Sequence, residues 1–212
     1  MNEEHLADAR MRTLSVLSPA VVHDLRGAAS ALALHLQLLA IDPEDESGRA
    51  RRRRSLATAD EERRRLFGLA EVFARHATVP NPAVGEFDLV AASADAVGLT
   101  RPFAGQRRVT LTMTPVAAPR PVHGRGEVVI QVLLDVLLHV LQESPRGAGI
   151  EVTVEGAEGG ARTVIRASND VYPGGKDLAG FTSAMRWAGG DLRTEADALT
   201  LNLPAPRREE TS

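Results

Sequence analysis

The stretch from Leu17 to Leu39, LSPAVVHDLRGAASALALHLQLL, constrains the fold more than any other. Leu14, Leu17, Val21, Leu25, Ala28, Leu32, Leu36 and Leu39 recur three or four apart. At about 100° per residue they stay within roughly 40° of one line, so they predict a helix with a single core stripe. A helix of roughly 27 residues runs about 40 Å, longer than one small domain needs. After it, IDPEDESG places Pro43, Gly48 and clustered acids where one helix stops and the next is capped, and a second helical stretch of roughly 34 residues follows. The two form a long hairpin. Leu34 and Leu38 lie off the stripe and call for a second apolar cover, as in a four-helix bundle closed by a homodimer.

The character of the chain changes at ARHATVPNPAVGEFDL, where two prolines and a glycine follow a proline-poor segment. This sets a boundary near residue 80, with a helical domain over 1–80 and a second domain over 81–212. In the second domain the strand-like runs VTLTM, IEVTVE, RTVIRAS and ALTLNL alternate with helical ones at Leu89–Phe103, Glu127–Glu143 and Asp177–Ala188. The fold class is therefore α+β. Aromatic residues are only 3% of the chain, so the core has to be built from Leu, Val and Ala, and platforms for stacking bases are scarce.

Several function classes drop out. The chain has no cysteine, which removes disulfides, thiolate metal sites and a thiol nucleophile and fits a cytoplasmic setting. Its start, MNEEHLADARMRTL, is charged throughout, and no apolar run approaches the roughly 20 residues that span a bilayer, so no membrane partner is expected. The net charge of -3 argues against nucleic acid as a partner. Arg49, Arg51 to Arg54 and Arg63 to Arg65 are interleaved with Glu44, Asp45, Glu46, Asp60, Glu61 and Glu62, the pattern of a solvated helix face. His5, His35, His76, His123 and His139 show no ligand spacing, and no metal site is expected.

On the wheel that defines the core stripe, His23 sits about 180° away, with Asp24 and Gly27 on its flanks. Its ring is displayed. LSPAVVHDLRGAASAL resembles the phosphoacceptor box of sensor histidine kinases, in which an exposed histidine midway along the first hairpin helix is followed by an acid and then by leucine and arginine. The resemblance continues in order along the chain. FARHATVPNPAVGEFDLVAASADAVGLTRPFAGQRRVTLTM looks like the passage into the kinase ATPase domain, and VVIQVLLDVLLHVLQESP like its nucleotide-binding helix. RTVIRASNDVYPGG is similar to the next strand and loop, and AMRWAGGDLRTEADALTLNLP to the closing helix, glycine pair and last strands.

The resemblance implies a site, and the departures from it set the expected function. Where the family's nucleotide-binding helix carries two asparagines one turn apart, this chain has Asp135 and His139. A carboxylate adds negative charge near a polyphosphate, and imidazole is a poor ligand for a hard cation. The adenine-contacting Asp-x-Gly-x-Gly loop is replaced by SNDVYPGG, where Asn169 or Asp170 aligns with the lost acid but the glycine spacing fails. The later Gly-x-Gly turn reads Gly175-Lys176-Asp177-Leu178 and leaves no room for an ATP lid. Lys176 is either a remaining phosphate contact or a solvated loop lysine. The cofactor expectation is accordingly none, with ATP binding lost and magnesium supplied by a receiver-domain partner. What remains is histidine phosphotransfer: His23 as nucleophile, Asp24 as its orienter or base, and Arg26, about 60° round the helix, steadying phosphoryl charge or forming a helix-surface ion pair. Gly27 stands where kinases with phosphatase activity often carry threonine or asparagine to position water, and Ala28 stands where the family has a kinking proline. The expected partners are receiver domains of response regulators, with a hybrid histidine kinase as a further one. The competing readings are an active cytoplasmic histidine kinase and a non-catalytic dimeric scaffold.

Overall fold

The computed structural model describes residues 3–40, 46–77, 83–168, 172, 175–195 and 198–206. It divides into two compact units, one of Ser18–Thr78 and one that joins Met1–Leu17 to Val79–Ser212. One division falls at Thr78/Val79. A second division, between Leu17 and Ser18, falls inside the first helix and has no counterpart in the sequence reading.

The helical unit is made of α1 (Glu3–Leu39), from Ser18 onward, and α2 (Glu46–Ala77). α1 carries Pro19 in its interior and has no break at Ala28. The two helices are antiparallel neighbours, tied by Arg65 of α2 to Asp24 of α1. Of the expected stripe, Leu17, Val21 and Ala28 are buried and Leu14, Leu25, Leu32 and Leu39 half-buried. Leu36 departs from the expectation and is 54% exposed. The register set by Asp24 and Arg65 brings the arginine run Arg51–Arg54 level with it, and that run offers no apolar cover.

The sheet unit has β1 (Gly85–Asp88), α3 (Leu89–Arg107), β2 (Thr110–Met113), β3 (Pro121–Gly124), α4 (Gly126–Glu143), β4 (Gly149–Ala157), β5 (Gly160–Ala167), α5 (Gly175–Ala188), β6 (Asp191–Thr194) and β7 (Leu199–Pro204). β2, β4, β5, β7 and β6 lie side by side in that order, and β1 pairs with β3. Among the described residues only the β2–β4 pair is parallel. α4 is the centre of the core: Val128, Val129, Val132, Leu133, Leu134, Val136, Leu137, Val140 and Leu141 are all buried, and it packs against both α3 and α5. Strand side chains alternate to meet this layer, with Ile150, Val152 and Val154 of β4 buried and the residues between them more exposed.

Polar locks fix the framework. Asp88 caps α3 by accepting from the Val90 N–H at 3.0 Å and also accepts from the Arg120 N–H at 2.8 Å, tying β1 to the segment before β3. Ser93 of α3 and Thr163 of β5 share a buried hydrogen bond of 2.9 Å. Arg125 donates to the Trp187 carbonyl at 2.9 Å and lies 5.1 Å over the Trp187 ring, so the start of α4 is held to the end of α5. The glycine pair after α5 is required by space and conformation. Gly189 has φ +95°, and a Cβ on Gly190 would stand 2.5 Å from the Asn202 carbonyl oxygen.

Candidate functional site

In the helical unit the site is built on one turn of α1. His23 is exposed and makes no hydrogen bond among the described residues, so both ring nitrogens are open to solvent or to a partner. Asp24 is half-buried beside it. Both of its carboxylate oxygens accept from Arg65 Nη2, each at 2.7 Å, and Arg65 Nη1 lies 3.5 Å from Glu62. The aspartate is thus oriented by α2 rather than bonded to the histidine. Arg65 is the residue that the sequence reading missed, because it was read with the solvated arginine run. The antiparallel register of a hairpin, counted out from the turn, is the signal that would have found it.

Arg26 is exposed and makes no ion pair among the described residues. That leaves its guanidinium, with five donors, free for an anion. Gly27 is exposed, and nothing lies within 4 Å of where a Cβ would sit. The missing water-positioning side chain is therefore not excluded by space. Along its length the hairpin exposes large apolar side chains: Val22 (40%), Leu34 (55%), Leu36 (54%) and Leu38 (44%) on α1, with Leu56 (60%) and Phe67 (56%) on α2.

In the sheet unit, Glu127, Gln131, Asp135 and His139 lie four apart on α4 and so share one face. The first turns of α1 pack on that face. Arg10 donates to Glu127 at 2.7 Å, and Thr13 donates to Asp135 at 2.6 Å. Gln131 Nε2 donates to Thr13 Oγ1 and to Asp135 Oδ1, both at 2.7 Å. Burial pushes the Asp135 carboxyl above the ordinary carboxylate range, opposed by the hydrogen bonds from Thr13 and Gln131 and by the nearby charge of Arg12. Half-buried His139 has Nδ1 4.0 Å from the Asp177 carboxylate and an edge contact with Phe181 at 6.4 Å between ring centres.

The carboxylate at position 135 is committed to Thr13 and Gln131, and a group whose proton affinity is raised by burial disfavours the charged form that a hard cation needs. The carboxylate was expected to stand beside phosphates; it is instead enclosed between α1 and α4. Asn169 and Asp170 lie outside the described residues, as does the side chain of Lys176, and Gly175 opens α5. β5 ends at Ala167 and α5 begins at Gly175, so the connection is short. Among the described residues no group of three histidine or acidic side chains could hold a metal ion, and no described helix is long and apolar enough to cross a membrane.

No family model matches the chain, and no curated protein matches it. Solved structures do resemble it. The histidine kinase AdeS of Acinetobacter baumannii is 15% identical over 87% of this chain and 98% of that one, with a TM-score of 0.48. A mycobacterial sensor histidine kinase, MprB, is 22% identical over 59% of this chain and 100% of that one, at 0.47. The ATP-binding domain of PrrB from Mycobacterium tuberculosis is 15% identical over 58% and 98%, also at 0.47. Likeness at these identities and scores carries no chemistry across.

Proposed function

We propose that this chain is a dimeric histidine phosphotransferase that exchanges phosphoryl groups with receiver domains of response regulators through His23 and does not use ATP. The observation that carries the reading is an exposed imidazole with no hydrogen bond among the described residues, one residue before a carboxylate held by Arg65, midway along a helical hairpin. A neutral ring nitrogen attacks the phosphorus of a receiver's phosphoaspartate. The N–P bond forms as the acyl P–O bond breaks, and the receiver recovers its carboxylate. In this reading the Asp24 carboxylate, next in sequence and held by Arg65, counters the positive charge that develops on the ring, and Arg26 neutralises the phosphoryl oxygens. The reverse step returns the group to another receiver. Magnesium is supplied by the receiver.

Dimerisation is the second part of the proposal. Leu34, Leu36, Leu38, Leu56 and Phe67 are between 44% and 60% exposed, and a second hairpin of the same chain covers such a surface in a four-helix bundle. The mass in dilute solution at micromolar concentration tests this; a monomer contradicts it.

Incubation with a panel of phosphorylated receivers tests the chemistry. Wild type should accept label, His23→Ala should accept none, and Asp24→Asn should be slowed but active. If wild type accepts none, or His23→Ala accepts as well as wild type, a non-catalytic dimeric scaffold takes the place of this reading. Separate incubation with labelled ATP should leave the protein unlabelled; labelling at His23 would restore an active kinase.

A further inference from the structure

The arginines of α2 next to the site divide by partner. Arg63 and Arg64 both pair with Asp60 of their own helix, at 2.8 and 2.9 Å. Arg65 crosses the hairpin instead: its Nη2 donates to both Asp24 oxygens at 2.7 Å, while Glu62, one turn back on α2, lies 3.5 Å from its Nη1. Arg65 is thus steadied from its own helix while it holds the other. With Arg65 51% and Asp24 28% exposed, such a pair contributes little to stability, and what it fixes is the direction of the aspartate.

That direction sorts the charges around the nucleophile. Asp24 sits about 100° round α1 from His23, on the side of the buried Val21 and Ala28, and Arg26 sits about 60° round on the other side. With Asp24 tied to Arg65, the negative charge stays against α2 and the outer side of the ring is left to the guanidinium of Arg26. A carboxylate near His23 acts on two opposite charges during transfer. It favours the positive charge that develops on the ring, and it repels the anionic phosphoryl group. An aspartate free to change its χ1 rotamer samples both positions; one held on the α2 side keeps the first effect and avoids the second.

We propose, resting on the phosphotransferase reading, that Arg65 is a positioning residue for transfer: it holds Asp24 on the α2 side of His23, so that the phosphoryl group is received on the Arg26 side. Arg65 acts through Asp24 and not on the phosphoryl group itself. Because one nitrogen makes both contacts, the planar fork of arginine is not what the position requires, and a lysine ammonium can take its place.

Two measurements on the intact chain test this: the Asp24 Hα–Hβ couplings by NMR, and single-turnover transfer at saturating concentration of a phosphorylated receiver that labels wild type. The couplings should report one χ1 rotamer in wild type and an average in Arg65→Gln. Arg65→Gln should slow transfer about tenfold, more than Asp24→Asn does, because it leaves the charge in place and loose. Arg65→Lys should stay within about twofold of wild type. Adding Asp24→Asn to Arg65→Gln should bring the rate back up to that of Asp24→Asn alone, since no carboxylate is left to hold. The proposal is overturned if the Asp24 couplings are already averaged in wild type, or if Arg65→Gln transfers at the wild-type rate. It is also overturned if the double variant stays slower than Asp24→Asn, the result expected of an arginine that touches the receiver directly. Failure of every receiver to label wild type is a different outcome: it sinks the phosphotransferase reading and this role for Arg65 with it.

Discussion

Replacing Thr13 with valine keeps the shape of the side chain and removes the hydroxyl on which the contact between α1 and α4 turns. That hydroxyl lies 2.6 Å from Asp135, accepts from Gln131 at 2.7 Å and lies 2.9 Å from the Ala9 carbonyl. A hydrogen bond to a charged group contributes about 1.5–3 kcal/mol. Asp135 keeps its bond from Gln131, so it is not left bare, and the added methyl of valine recovers part of the loss. The net loss near neutral pH should be about 2 kcal/mol, or about 4–8 °C in the melting of a unit of this size. The pH dependence has a definite sign. The Asp135 carboxyl already titrates above its ordinary value through burial, and loss of a hydrogen bond that opposes this moves it further up. A carboxyl with a raised folded pKa contributes stability in its protonated form, which is lost as pH rises through that pKa. The Thr13→Val defect should therefore be largest at pH 8 and shrink as the solution is acidified and Asp135 takes up its proton. Trp187 is the only tryptophan, it lies in α5, and Arg125 sits over its ring, so its fluorescence during urea unfolding reports this unit alone. A loss within about 0.5 kcal/mol at pH 8, the range of inert surface substitutions, would refute the reasoning. So would a defect that grows with acid.

Other substitutions probe the neighbouring claims. Asp135→Asn removes a charge that burial disfavours and should stabilise the sheet unit at neutral pH by an amount that vanishes in acid. It should not confer binding of ATP with magnesium up to millimolar concentration, or about -4 kcal/mol, in calorimetry, because Thr13 and Gln131 still occupy the side chain at position 135; micromolar affinity would show that the charge alone had excluded the nucleotide. Gly190→Ala would push a Cβ to 2.5 Å from the Asn202 carbonyl and 2.6 Å from Met185 Cε, and should cost about 1–3 kcal/mol in the Trp187 melt. Arg65→Gln breaks the tie to Asp24, but with Arg65 51% exposed the loss in stability should stay below about 1 kcal/mol, as read from helical signal in thermal melts.

The long elements were legible in the sequence because their periodicity is strong. α4 is found within one residue of its expected bounds, α3 begins at its expected Leu89, and α5 ends at its expected Ala188 but begins at Gly175, two residues ahead of the expected Asp177. The three-to-four spacing also set His23 opposite the stripe, and it is exposed. The short strands β1 and β3 were not read, since four residues such as GEFD or PVHG carry too little alternation to separate a strand from a loop. They form only by pairing with each other across the fold. Leu36 was misplaced because a helical wheel knows its own helix and not the arginines that the hairpin register brings alongside. The packing of Arg10 and Thr13 on α4 was illegible for the same reason: charged and hydroxyl residues in a charged N-terminal stretch look solvated until a distant Glu127 and Asp135 are seen to meet them.

The most direct test of the central claim is the chemical location of the phosphoryl group. Wild-type protein, loaded by a phosphorylated receiver and digested, should yield one labelled peptide, and it should contain His23 rather than any of the five other histidines. The linkage should be acid-labile and stable to alkali, as a phosphorus–nitrogen bond is, and the mass of the peptide should rise by one phosphoryl group. Label on another histidine, label with the base-lability of a phosphoaspartate, or no label from any receiver would contradict the phosphotransferase reading.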